Sequence, residues 1–227
     1  MNADEVAAQV STLFLAQAVA ARSSGRRFAV AVPGGSVATR VFPRLATLVL
    51  DWQAIDLTWV DERVVSAGDP ESNLRATEDN WLTRIQGPGP RLIAPPVELQ
   101  SPDAVAAAWQ AQLVRTLGDP PRLDVAILGV GPDGHVASLF PGHPVLLRTD
   151  AWALGVDDSP KPPPARVTLT QATLSRAREL WMVAFGREKA AVLAEARRVA
   201  DSRLPVAVVA RSGPAVRWFL DDAAAGG

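Results

Sequence analysis

The chain contains no cysteine. Disulfides are excluded, and with them thiol catalysis and any metal site built on thiolates. Lysine is nearly missing too. Lys161 and Lys189 are the two present, so the 23 lysines plus arginines less these two leave 21 arginines. The formal net charge is −1, and the arginines are spread along the chain rather than gathered in a tail. Neither a nucleic-acid partner nor an anionic membrane surface is expected. No apolar run reaches the length of a membrane span. The 227 residues show no repeat and no linker long enough to divide domains, and they suffice for one α/β domain, 1–227, with a proper core. Val6–Ala20 is fairly apolar, but Asp4 and Glu5 stand where a secretory leader carries basic residues. Val6, Val10, Leu13 and Phe14 fall at helical spacing, so a surface helix begun by Asn2, with Glu5 three residues on, is the better reading. The cytoplasm is then the simplest compartment.

What the chain does have is alternation. Phe28–Val32, Asp56–Asp61, Leu123–Leu128, Leu180–Phe185 and Pro205–Ala210 read as strands, with a short one near Leu92 and an edge strand at Ala151–Val156. Helical patterns fall between them. They run over Ser36–Val49 with a strained spot at Pro43, from an Asp69 N-cap with Pro70 at the first position to about Arg84, and from Ser101–Pro102 to Leu117. Further helices are expected over Arg187–Ala200 and Ala215–Leu220. Ser159–Pro164 (SPKPPP) cannot be regular, because four prolines remove donors and fix φ, and Arg166–Leu169 resumes in extended form. The order predicts a mostly parallel sheet with helices on both faces.

Both histidines lie in one stretch, Leu123–Pro144 (LDVAILGVGPDGHVASLFPGHP). Its apolar run reads as a buried strand, broken by Gly129, Gly131 and Gly134, with a short helix-like piece at Val136–Phe140. Histidine exchanges protons near neutrality without help, and the carboxyl end of a buried strand is where open α/β sheets bind ligands. Asp133 at one ring nitrogen of His135 can fix the tautomer and leave the other nitrogen to take a proton from water. Equally, Asp133 can simply cap the following turn. His143, between Gly142 and Pro144, reads as structural or rim. GVGPDG formally matches a dinucleotide fingerprint, but Pro132 lies inside it and His135 follows where a plain helix belongs.

Val32–Ser36 (VPGGS) runs from strand through glycines into a helix, a backbone arrangement suited to phosphate or to an ordinary turn capped by Ser36. It is not a Walker loop, since no Gly-Lys-Ser/Thr follows. Asp61, Glu62 and Arg63 end a strand, either at the ligand edge of the sheet or as a solvated charge cluster, and Ser72 and Asn73 follow. With lysine so scarce, Lys161 in the proline loop and Lys189 in the first turn after a strand are candidates for anion contact.

Together these segments resemble the glucosamine-6-phosphate isomerase/6-phosphogluconolactonase family, from about Val32 to Lys189. The carriers are PGGS at 33–36, VDER at 60–63, SN at 72–73, LGVGPDGHVASLFPGHP at 128–144, SPKPPPARVTLT at 159–170 and GREKA at 186–190. The resemblance implies a modified Rossmann-type α/β sheet, no cofactor and no metal. It implies a sugar-phosphate substrate and, on the lactonase branch, hydrolysis of 6-phospho-D-glucono-1,5-lactone. By matching motifs, His135 is the general base with Asp133 beside it, and Arg63 faces the substrate. Gly34, Gly35, Ser36, Asp61, Asn73, Arg166 and Lys189 hold substrate or its phosphate. Val37 and Ala38 depart from the usual GGSTP form, removing one side-chain phosphate contact but not the backbone cradle. The deaminase branch resembles DGHIAFNEP, whereas no acid lies here between His135 and Pro144. A non-catalytic sugar-phosphate sensor is the other alternative, but the chain shows no room or charge for a DNA-binding helix-turn-helix. A monomer or homodimer is expected.

Overall fold

The spine of the fold is a set of short apolar strands whose side chains alternate between two cores. The computed structural model describes residues 1–66, 68–213 and 215–227. Its strands are β1 (Phe28–Val32), β2 (Ile55–Trp59), β3 (Asp61–Arg63), β4 (Arg91–Ile93), β5 (Val125–Gly129), β6 (Ala153–Val156), β7 (Arg166–Leu169), β8 (Glu179–Ala184) and β9 (Val216–Leu220). The helices are α1 (Ala3–Ser23), α2 (Gly35–Arg40), α3 (Phe42–Leu45), α4 (Asn73–Asn80), α5 (Pro102–Leu117), α6 (Gln171–Leu174), α7 (Ala190–Arg198), α8 (Pro205–Ser212) and α9 (Asp222–Ala225). Six strands form a parallel sheet in the order β4-β2-β1-β5-β8-β9. The expected α/β architecture, mostly parallel with helices on both faces, is what the chain adopts.

Successive strand residues point to opposite faces. Phe28, Val30 and Val32 of β1, with Val125 and Ile127 of β5, pack with Phe14, Phe42, Trp52 and Trp81 on the side covered by α1 and α3. Ala29, Ala31, Ala126 and Leu128 pack on the other side with Trp109 and Leu113 of α5 and with Val206 and Val209 of α8. Asn2 and Glu5 form a capping box at the start of α1, as their spacing predicts. No helix among the described residues is long and apolar enough to cross a membrane.

A second sheet, antiparallel in the order β3-β7-β6, lies outside the expectation of one sheet. The predicted strand Asp56–Asp61 stops at Trp59, and Asp61–Arg63 leave it to pair with Arg166–Thr168. The helix expected over Ser36–Val49 breaks at Val41 into α2 and α3, with Pro43 inside the first turn of α3, where a missing N–H costs nothing. The helix expected from Asp69 is capped instead by Ser72, whose Oγ accepts from the Arg75 N–H. Val136–Phe140 is not helical. Val136 bridges to Val130 and Leu139, and Ala137 takes φ 51°. At the C-terminal end two expectations exchange places: Pro205–Ser212 is helix and Val216–Leu220 is strand. β8 and β9 are parallel neighbours, so a crossover must join them. Pro205 at its first turn suits α8 to that role.

Candidate active site

Chain segments at the carboxyl ends of β1, β2 and β5 meet the second sheet around one solvent-open cleft. Gly34, Gly35, Ser36, Asp61, Arg63, Asn73, His135 and Arg166 all line it. Asp133 stands behind His135. Lys189 does not line the cleft. It is 8% exposed, and burial lowers its amine below the ordinary lysine value.

His135 is seated by the glycines before it. A Cβ on Gly131 would lie 2.1 Å from both Cε1 and Nδ1 of the ring. The Gly131 N–H donates to the His135 carbonyl at 2.9 Å, closing the turn, and Gly134 takes φ 82°. These glycines therefore make space for an imidazole, not for a dinucleotide. The ring Nδ1 lies 2.5 Å from Asp133 Oδ1, and Phe140 packs on it with centroids 4.9 Å apart. Burial alone would raise the Asp133 carboxyl, but His135 and the Lys161 ammonium outweigh it and bring it down to about 2. Burial likewise lowers His135 below the ordinary imidazole value, with Asp133 opposing and Lys161 assisting. At neutral pH the pair is thus a carboxylate and a neutral ring. A contact of 2.5 Å needs a proton between the atoms. That proton is on Nδ1, which leaves Nε2 with a bare lone pair.

The acid–arginine run is divided in its duties. Asp61, 5% exposed, accepts from Ser138 Oγ at 2.7 Å and lies 3.8 Å from Arg166, tying β3 to the loop after His135. Glu62, 2% exposed, accepts the N–H groups of Asn73 (2.7 Å) and Leu74 (2.6 Å) at the start of α4. Burial pushes its carboxyl up to about 6 against those donors. Sequence reasoning places Glu62 with its neighbours at the sheet edge but gives it no role of its own; the second acid in Asp-Glu-Arg ahead of an Asn-initiated helix was the available signal. Arg63 donates Nη1 to the Glu71 carbonyl at 2.6 Å, and its buried Nε has no partner among the described residues. An orphaned cationic donor at a cleft wall suits an anionic or carbonyl oxygen.

Asn73 donates to the Asp61 carbonyl at 2.9 Å and fills the space a side chain at position 34 would need, since a Cβ there would lie 1.8 Å from Asn73 Oδ1. Gly34 caps α2 without a side-chain bond, so the first N–H groups of that helix, at Gly35, Ser36 and Val37, have no intrahelical acceptor. Arg166, 4% exposed, spends its donors on the Pro163 and Pro162 carbonyls, both at 3.0 Å, and the Lys161 carbonyl at 3.3 Å. His143 has both nitrogens engaged, Nε2 with Asp158 at 2.8 Å and Nδ1 with the Val145 N–H at 3.2 Å. It caps the turn Pro144–Leu147 and has the structural role expected of it. Among the described residues no three His, Asp or Glu side chains converge as a metal site.

The arrangement can activate a water with a neutral imidazole beside a cationic, N–H-rich anion pocket. The chain matches, over residues 1–218, the family described as glucosamine-6-phosphate isomerases/6-phosphogluconolactonase. It is 40% identical over 185 residues to a 6-phosphogluconolactonase of Streptomyces coelicolor, covering 78% of this chain and 71% of that one. It is 36% identical over 231 residues to a 6-phosphogluconolactonase of Rattus norvegicus, covering 97% and 89%. The solved structure of 6-phosphogluconolactonase from Trypanosoma brucei superimposes with a TM-score of 0.85 at 27% identity, over 99% of this chain and 95% of that one.

Proposed function

The chain belongs to the glucosamine-6-phosphate isomerase/6-phosphogluconolactonase family, and on that premise we propose that it hydrolyses 6-phospho-D-glucono-1,5-lactone to 6-phospho-D-gluconate, with His135 as general base. The observation that carries the proposal is the 2.5 Å contact of His135 Nδ1 with an ionised Asp133, which leaves Nε2 free on the cleft wall.

A δ-lactone is an activated ester, so no covalent nucleophile is required. His135 Nε2 takes a proton from water as the oxygen attacks C1. The C1–ring-oxygen bond of the tetrahedral intermediate then breaks, and the imidazolium returns the proton to the ring oxygen. Arg63, whose side chain lines the cleft, supplies positive charge toward the carbonyl oxygen. The phosphate rests on the N–H groups of Gly35 and Ser36 after Gly34, with Asn73 and Arg166 shaping the pocket. Binding at this remote group orients C1 rather than supplying chemistry. Lys189 contributes long-range charge from outside the cleft wall. The reaction is the second step of the oxidative pentose phosphate pathway, carried out in the cytoplasm by a single-domain monomer or homodimer without cofactor or metal.

The deaminase branch of the family is the competing reading. It is disfavoured because the carboxylates facing His135 are Asp133 and Asp61, with no acid between His135 and Pro144. The test generates the lactone in place and follows acid release against the uncatalysed rate, for wild type and His135→Ala. Acceleration by wild type that the substitution removes supports both reaction and base. Acceleration that survives in His135→Ala refutes the base, and ammonia release from glucosamine 6-phosphate refutes the reaction.

A further inference from the structure

The loop Ser159–Pro164 carries one cation, Lys161, to the Asp133–His135 pair beside the cleft. Ser159 Oγ donates to the Lys161 carbonyl at 2.9 Å, and the Ser159 N–H donates to the Pro164 carbonyl at 3.2 Å, so the loop is stapled to itself. Pro160, Pro162, Pro163 and Pro164 fix four φ angles within it. Arg166, buried beneath, holds three successive carbonyls of the loop, those of residues 161 to 163. Lys161 Nζ lies 3.0 Å from Asp133 Oδ2 and 3.3 Å from His135 Nδ1.

From this geometry we propose, building on the hydrolase reading above, that Lys161 is a positioning residue for the general base. Its ammonium holds Asp133 so that Asp133 in turn holds His135 in the single tautomer whose Nε2 is bare. Asp133 Oδ1 takes the imidazole Nδ1–H and, at 3.4 Å, the His135 backbone N–H, while the partner of Oδ2 is the ammonium. Without the ammonium, Oδ2 loses its partner and only the long backbone contact at Oδ1 resists rotation of the carboxylate, so Nδ1 has a less fixed acceptor. Because Nδ1 already donates its proton to Asp133, the ammonium 3.3 Å away meets a donor and not a lone pair. It therefore opposes a positive charge on the ring. The other charges around His135 are Asp133 and Asp61, which favour the imidazolium, and the Arg63 and Arg166 guanidiniums, which share the cleft. Phe140 covers one face of the ring without charge. Lys161 thus offsets the acids and yields a base that gives its proton back to the leaving ring oxygen readily.

The experiment uses the full chain and needs no substrate for its first arm. The protein has two histidines, so nitrogen-15 imidazole spectra resolve His135 and His143, the latter held by Asp158 in the same β6–β7 connection as Lys161 and so a check that the loop keeps its place. Wild type, Lys161→Met and Lys161→Arg are titrated. Lys161→Met is expected to raise the midpoint of His135 and to mix its tautomers, leaving His143 in place, and Lys161→Arg is expected to restore both. In the second arm, the acid limb of kcat/KM moves to higher pH in Lys161→Met and kcat falls roughly tenfold while KM changes less than about twofold. An unchanged His135 midpoint and tautomer in Lys161→Met overturns the proposal, and so does a raised KM with unaltered imidazole spectra, which makes Lys161 a direct ligand contact. A shifted His135 signal in a protein that hydrolyses no lactone upholds the positioning and refutes the hydrolase reading, so the two fail separately.

Discussion

Gly131→Ala places the smallest possible side chain against the base. The added Cβ would lie 2.1 Å from His135 Cε1 and Nδ1 and 2.8 Å from Asp133 Oδ1. Ordinary carbon contacts begin near about 3.5 Å, so the ring has to retreat by roughly 1.4 Å, the difference between that distance and 2.1 Å. Gly131 is not among the residues with positive φ, so alanine is compatible with its backbone. The clash is with the end of a rotatable ring, and the fold survives by turning that ring away from Asp133. A misplacement of about 1 Å at a catalytic group costs on the order of 100-fold in rate. The expected variant therefore has a thermal midpoint within a few degrees of wild type and kcat for lactone hydrolysis lowered by about 100-fold. Stopped-flow acid release, corrected for spontaneous opening, measures the rate, and circular dichroism checks the fold. A folded Gly131→Ala protein that retains more than a third of the wild-type rate refutes the reasoning, because the ring would then not need the seat it occupies.

Other perturbations read other parts of the site. Gly34→Ala drives a Cβ into Asn73 Oδ1; a rise in KM larger than the fall in kcat is expected in steady-state assays, since the anion pocket is displaced and the base is not. Glu62 has its carboxyl raised from 4.5 to about 6, so its folded form favours the neutral acid. The stability this contributes is present below 4.5 and is lost as pH rises through about 6, a change of about 2 kcal/mol. Denaturant melts from pH 4 to 7 are expected to show wild type losing that amount relative to Glu62→Gln, and a gain over that range refutes the assignment. Phe14→Ala removes a ring that touches Phe28, Trp52 and Trp81 and is expected to cost about 3–5 kcal/mol in the same melts. His143→Ala, separated from the base by the Phe140 ring, leaves kcat unchanged within about twofold while lowering the melting temperature slightly.

Much of the site was legible because it is local. Asp133, His135 and the glycines around them lie within five residues, and strand followed by glycine is itself the signal for a cleft at the sheet edge. β1 and α5 were legible for a similar reason: one is a pure apolar run and the other has Ser101 and Pro102 as an unambiguous start. What escaped was set by partners distant in sequence. Nothing near Asp61 announces that Asp61–Arg63 will leave the main sheet to pair with residues 166–168. Nor does the sequence around residue 73 reveal that the acceptor for its N–H is Glu62. Pro205–Ala210 is rich in valine and reads as strand by composition, yet Val206 and Val209 are one helical face against the core, and the parallel pairing of β8 with β9 requires the crossover they form. Lys161 could be noticed by its rarity, but its contact with Asp133 spans 28 positions and is visible only when the loop is folded.

The pairing of β3 with β7 also has a temporal meaning. Arg63 and Arg166 face each other across that ladder although they are more than a hundred residues apart in the chain. The cleft has one wall from each, so it cannot exist in any folding intermediate in which this long loop is still open. Contacts of such sequence separation form late because closure entropy must be met before they contribute. During synthesis, β1 and β2 have been made long before residue 166 leaves the ribosome. The nascent chain therefore holds β1, β2, β4 and β5 before it can close the cleft, and one shorter than about its first three-quarters is a partial scaffold without a site.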